Sequence, residues 1–304
     1  MKIRAGYEIS YDCPQPTPMI LALSVHPSRV PDLLTPDRMR LDPPLHATEY
    51  RDGFGNVCHV IRAPTGRVTI SSDILIQDSG EPDAVAPEAA QSSLETLPVD
   101  VLVYLLGSRY CETDRLISFA WSRFGKVRKG WPLVQAICDY VHDSMRFGYE
   151  HASRTRTAWD AHNERCGVCR DFAHLAVTLC RCMNVPARYC TGYLGDIGVP
   201  AEDTPMDFSA WFEVYLGGGW YTFDARHNRP RLGRVVLARG RDAGDVAMTT
   251  SYPRSRALHA SEPMRSSASQ SVTPMTGMPK PSRTSFTYGN CTARSSGIGR
   301  RSFL

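Results

Sequence analysis

The stretch Arg165-Cys166-Gly167-Val168-Cys169-Arg170-Asp171-Phe172-Ala173-His174-Leu175 puts a cysteine where a helix begins. Gly167 and Val168 lead into a run in which Phe172, Ala176 and Leu179 repeat at helical spacing, so Cys169 falls in the first turn. There the unpaired backbone N–H groups and the positive end of the helix dipole favour thiolate over thiol, and the thiolate is the nucleophile. Ser209 to Leu216 alternates as a strand, and Trp220 to His227 supplies a carboxylate, Asp224, at the end of another strand after the Gly217 to Gly219 turn. The chemistry these residues offer is a thiolate nucleophile and a carboxylate.

In this order the three pieces resemble the transglutaminase-like superfamily of papain-type thiol enzymes, in its bacterial branch with a β-rich domain before the catalytic one. The motifs that carry the resemblance are Gly167-Val168-Cys169-Arg170-Asp171-Phe172-Ala173-His174-Leu175, Asn184-Val185-Pro186-Ala187-Arg188-Tyr189, Gly192-Tyr193, Ala210-Trp211-Phe212-Glu213 and Phe223-Asp224-Ala225-Arg226, and it runs from about Met1 to Met248. It implies a Cys, His, Asp triad in which Cys169 is the nucleophile and Asp224 the carboxylate. Ser209 stands at the family's histidine position.

That substitution matters chemically. An imidazolium stabilises the thiolate and then protonates the leaving amine. A serine hydroxyl has no usable basicity at neutral pH and is too short to reach the same point. Removing the base of a comparable triad costs on the order of a millionfold in turnover, so a severe loss is expected. Two other histidines lie nearby in sequence. His227 would need a sharp turn to bring it from the strand end to Cys169. His174, about 140 degrees round the helix from Cys169, is expected to pack against the sheet. Trp211, Trp220 and Tyr193 read as core or cleft-wall aromatics.

Composition sets the bounds. At 304 residues, 42% apolar and 22% charged, the chain has the make-up of a globular protein with room for two cores. It shows no run of the roughly 20 apolar residues that a membrane span needs and no signal-type segment at Met1 to Glu8, so a cytoplasmic protein without membrane partner is expected. The net charge of +4 comes largely from arginines after Arg254, which gives no basic face for nucleic acid. Ten cysteines include Cys166 and Cys169 as Cys-x-x-Cys and Cys180 and Cys182 as Cys-x-Cys, with no histidine pair at zinc spacing. Neither a metal nor a cofactor is expected. Cys13, Cys58, Cys111, Cys138, Cys180 and Cys190 read as small buried hydrophobes in a reducing compartment, while a disulfide from Cys166 to Cys169 would be inhibitory.

The elements follow. Residues 1–78 show short alternating runs separated by turn residues, the pattern of an antiparallel β-sandwich. Residues 79–98 are rich in Pro, Ala, Glu and Ser and read as a linker. Over 99–250 the period changes: amphipathic helices at Leu116 to Phe124 and Val134 to Met145, and the Cys169 helix, precede strands near 187–193, 210–216, 220–224 and 234–238. This is an α+β papain/transglutaminase-like domain with helices on an antiparallel sheet. Residues 251–304 lose all periodicity and read as a low-complexity, disordered tail or a frame-shifted sequence. Two functions remain: a thiol enzyme on amide or isopeptide bonds of peptides or proteins, impaired by Ser209, and a non-catalytic peptide-binding relative. Residue 209 separates them.

Overall fold

The computed structural model describes residues 1–200 and 208–252 and, as backbone strands, residues 265–274, 286–287 and 300–302. The N-terminal region supplies β1 (Lys2–Cys13), β2 (Thr17–Leu21), β3 (Arg40–Asp42), β4 (Thr48–Arg51), β5 (Val57–Ala63) and β6 (Gly66–Gln77). β1 pairs antiparallel with β6 along its whole length, from Lys2 opposite Gln77 to Cys13 opposite Gly66. Alternation in β1 sends Ile3, Ala5, Tyr7, Ile9 and Tyr11 inward. They meet Met19 and Leu21 of β2 and Ile61 of β5, which belong to a second sheet. β3 and β4, short and largely exposed, edge the two sheets.

The second region contains α1 (Thr113–Phe124), α2 (Trp131–Ser144), β7 (Arg146–Phe147), α3 (Ala158–Glu164), β8 (Cys166–Gly167) and α4 (Cys169–Cys182). A sheet follows, made of β9 (Ala187–Tyr193), β10 (Ser209–Leu216), β11 (Gly219–Phe223) and β12 (Val235–Gly240), in the order β11-β10-β9-β12 with every neighbour antiparallel. α4 is almost entirely buried because α1, α2 and α3 surround it on one side and β10 on the other. Leu175 and Leu179 share one core with Phe212, Val214 and Leu216 of β10 and with Leu133, Ile137 and Val141 of α2. The chain is therefore α+β, an antiparallel sandwich followed by helices on an antiparallel sheet.

Two boundaries differ from the sequence reading. Residues 79–98 form an anchored strap. The Ala89 carbonyl accepts from Trp131 N–H at the start of α2, the Ala90 carbonyl accepts from Gly217 N–H, and Gln91 Nε2 donates to the carbonyls of Met183 and Asn184 past the end of α4. Alanines and a glutamine look like linker composition, yet the alanine carbonyls and the Gln91 side chain cross-link three elements. At the boundary with the range read as a tail, β13 (Thr249–Ser251) returns to pair with β2 of the sandwich, and within that range β14 (Arg265–Pro274) lies antiparallel to β1 from Arg265 opposite Asp12 to Pro274 opposite Ile3. β15 (Phe286–Thr287) and β16 (Arg300–Ser302) pair with β14 and β13. Ladder bonds use backbone groups, so a serine-rich segment lacking hydrophobic alternation can still occupy an open edge. The remainder of the expected tail lies outside the described residues.

Candidate active site

Cys169 is the first residue of α4, and the local sequence explains why the helix starts there. Val168 is extended (φ −103°, ψ 176°), and Asp171 folds back so that its Oδ2 accepts from Val168 N–H at 2.9 Å. Gly167 makes room for this: a Cβ there would lie 2.6 Å from Asp171 Cβ and Oδ2. A carboxylate in the first turn would oppose a thiolate, but Arg170 Nη2 at 2.9 Å and Arg156 Nη1 at 3.5 Å pair with it. With that carboxylate paired, the positive end of the α4 dipole stands beside the thiol at the first residue of the helix.

The thiol is partly exposed, and Cys169 Sγ lies 4.0 Å from the Phe208 carbonyl oxygen, immediately before β10. Among the described cysteines only Cys166 shares that partial exposure; the other seven are buried. Burial pushes those seven thiols up, to about 11 for Cys111 and Cys58 and about 12 for Cys182. The inhibitory disulfide considered for Cys166 and Cys169 does not fit this backbone. Cys166 and Gly167 are strand, Val168 is extended, and three such steps separate the two Cα atoms by about 10 Å, beyond the roughly 7 Å that a disulfide tolerates.

Ser209 opens β10 opposite Gly192 of β9, buried, with its carbonyl accepting from Thr191 Oγ1. It shares a face with Trp211 and Glu213, while Ala210, Phe212 and Val214 face the helices. Glu213 on that face is held ionised: burial would raise its pKa, and Arg188 and Arg239 more than offset this.

Asp224 is fully engaged. Oδ1 accepts from the backbone N–H of Arg226 at 3.0 Å and of His227 at 3.1 Å; Oδ2 accepts from His227 Nδ1 at 2.9 Å and from Arg234 Nη2 at 2.9 Å. Burial alone would raise this carboxyl, but the Arg234 charge and the bonds from His227 hold it well below the usual carboxylate range. Arg234 in turn pairs with Asp83 of the strap at 2.9 Å and lies over the Trp211 ring at 5.0 Å. Sequence reading missed Arg234 altogether, since an arginine before a strand of apolar residues gives no periodic signal.

The histidines separate cleanly. His174 is buried, stacked on Tyr110 at 5.2 Å, and its Nε2 accepts from Ala243 N–H, so it is a neutral packing group as expected. Burial, with Arg170 and Arg181 nearby, holds its pKa well below the ordinary value. His227 is placed by the sharp turn that the sequence left open: Asn228 adopts φ +50° and its N–H closes the turn onto the Asp224 carbonyl at 2.7 Å. His142 Nδ1 of α2 holds the Arg226 carbonyl at 2.9 Å, and the Arg226 guanidinium lies 3.7 Å from the Phe147 ring centroid.

Residues 125–225, from the end of α1 to just past Asp224, match the transglutaminase-like superfamily core. This is a transglutaminase-like domain. The chain is also similar to a crystal structure from Cytophaga hutchinsonii presented as a candidate cysteine protease, with a TM-score of 0.76, 27% identity, and coverage of 92% of this chain and 93% of that one. That coverage takes in the sandwich together with the transglutaminase-like domain. Uncharacterized proteins of Mycobacterium leprae (23% identical over 225 residues, 69% of this chain and 77% of the relative) and Mycobacterium tuberculosis (28% over 239 residues, 69% and 73%) are also similar. Among the described residues, no helix is long and apolar enough to cross a membrane.

Proposed function

We propose that this chain is a thiol enzyme acting on amide or isopeptide bonds of peptides or proteins through an acyl-enzyme on Cys169, with Asp224 as the site's carboxylate and with turnover lowered by Ser209 at the family's histidine position. The observation that carries the reading is the placement of Cys169 at the first residue of α4, partly exposed, where the other described cysteines with the exception of Cys166 are buried. Thiolate attack on a carbonyl carbon gives a tetrahedral oxyanion that first-turn amides can stabilise; expulsion of the amine, which must take up a proton, leaves the acyl-thioester. Water then gives hydrolysis and a second amine gives transamidation. No cofactor enters these steps. Seven buried, unpaired cysteines support a reducing, cytoplasmic setting.

The second reading, a non-catalytic peptide-binding module, is favoured by Ser209 alone. The two separate in one assay: glutaminyl peptides and peptide amides are offered with and without a fluorescent primary amine, to the natural chain and to Cys169→Ala. Release of amine or incorporation of label that vanishes in Cys169→Ala supports the enzyme. Binding of peptide without turnover in either protein supports the module.

A further inference from the structure

We propose that His227, from the turn after β11, supplies the imidazole that Ser209 cannot; the proposal rests on Cys169 being the nucleophile. Three observations converge. The Asp224 carboxylate, which offers about four lone-pair sites, has all of them filled, and His227 fills two, through its ring Nδ1 and its backbone N–H. An Nδ1–H committed to a carboxylate fixes the tautomer and leaves Nε2 as the basic nitrogen, and Nε2 has no hydrogen-bond partner among the described residues. Asp224 and His227 already form the carboxylate and imidazole half of a triad.

The register says where that half sits. β10 pairs antiparallel with β11 and Phe212 stands opposite Phe223, so the turn after Phe223 leaves the ladder at the end of the sheet where Ser209 begins β10, next to Phe208. The Phe208 carbonyl is the group 4.0 Å from Cys169 Sγ. The turn is also fixed against the chain that leads into Cys169: Arg226 covers Phe147, and Phe147 of β7 pairs with Gly167 of β8, two residues before the thiol.

In this arrangement the thiol proton passes to His227 Nε2, giving a thiolate and an imidazolium held by Asp224. After attack, Nε2–H donates to the amine nitrogen as the C–N bond breaks and the thioester forms. Water then gives a proton to Nε2 as its oxygen attacks the thioester, and the thiolate leaves. The titratable and charged groups around the turn are Asp224 and Arg226 on it, Arg234 before β12, His142 and Asp139 on α2, Arg229 beyond it, and Cys169 on α4.

The test is the rate of Cys169 carboxamidomethylation between pH 4.5 and 9, mapped by mass spectrometry, in the natural chain and in His227→Gln, with thermal melting as a check of folding. The natural chain is expected to keep Cys169 reactive below pH 6. His227→Gln is expected to lose about tenfold or more of that rate at pH 6 and to show one rise near the ordinary thiol range. An unchanged profile in folded His227→Gln overturns the proposal and leaves Cys169 as nucleophile; a natural chain in which Cys169 is not the fastest thiol overturns both. If His227→Gln does not fold, diethyl pyrocarbonate acylation of His227 in the natural chain decides. Protection by prior alkylation of Cys169 supports the pairing, and equal acylation with and without it refutes the pairing.

Discussion

His227 Nδ1 lies 2.9 Å from Asp224 Oδ2, and both residues belong to one five-residue turn, so the carboxylate and the ring it orients move as a unit. The same oxygen takes Arg234 Nη2 at 2.9 Å, which makes Asp224 a buried structural anion besides the carboxylate proposed for catalysis.

Asp224→Asn should cost stability as well as turnover. Removing one partner of a buried ion pair is expected to cost about 3 kcal/mol, lowering the melting temperature by roughly 5–10 °C in a chain of this size. The Asp224 carboxyl titrates lower in the folded chain than unfolded, so its contribution is present above about pH 4 and is lost as pH falls further. Melting curves from pH 7 down to pH 3 should therefore fall more steeply for the natural chain than for Asp224→Asn. Parallel curves would show that Asp224 is not held by Arg234.

Ser209→His alone should add little, because the Asp224 oxygens are already taken. In a His227→Ala background, where Oδ2 regains an acceptor site, the same substitution should raise amide turnover by about tenfold or more over His227→Ala. Turnover that rises in the natural background and not in the double variant would place the base elsewhere.

How much of this was legible follows the size of the burial signal. The helix that starts at Cys169, α1, α2 and the longer strands of the sandwich and of the β9–β12 sheet announced themselves through apolar periodicity, because each sends apolar residues into a core at regular spacing. β3 and β4 are short and mostly exposed, so no alternation marks them. α3 is seven residues long and defined by its Thr157 and Asp160 capping box more than by an apolar stripe. The turn at Asp224 is decided by a left-handed Asn228 and by an aspartate that accepts from amides two and three residues ahead, a turn chemistry visible in Asp-Ala-Arg-His-Asn once it is looked for. The Arg234 pairing joins residues distant from one another along the chain and carries no local pattern.

Gly167→Ala should damage the site without touching the thiol. Its Cβ would meet Asp171 Cβ and Oδ2 at 2.6 Å, displacing the side chain that caps α4. A loss of about 1–3 kcal/mol is expected by urea unfolding, together with slower Cys169 alkylation in the folded protein. A variant of natural stability with natural alkylation would mean that the cap does not position Cys169.

The strap of residues 79–98 should resist limited proteolysis by a broad-specificity protease while its anchors are intact. Asp83→Ala with Gln91→Ala removes the contacts to Arg234, Arg231, Met183 and Asn184, and should make the strap an early cleavage site. Rapid cleavage of the strap in the natural chain would show that these bonds do not hold it.

The claim on which everything else stands is that Cys169 is the reactive thiol. Competitive alkylation of the folded natural chain at pH 7 with a limiting electrophile, read out as the fraction modified at each cysteine, tests it most directly. Cys169 should be modified about tenfold or more faster than Cys166, its nearest rival in exposure, and the buried cysteines should react only on unfolding. Modification that goes first to Cys166, or spreads evenly over several cysteines, would contradict the account.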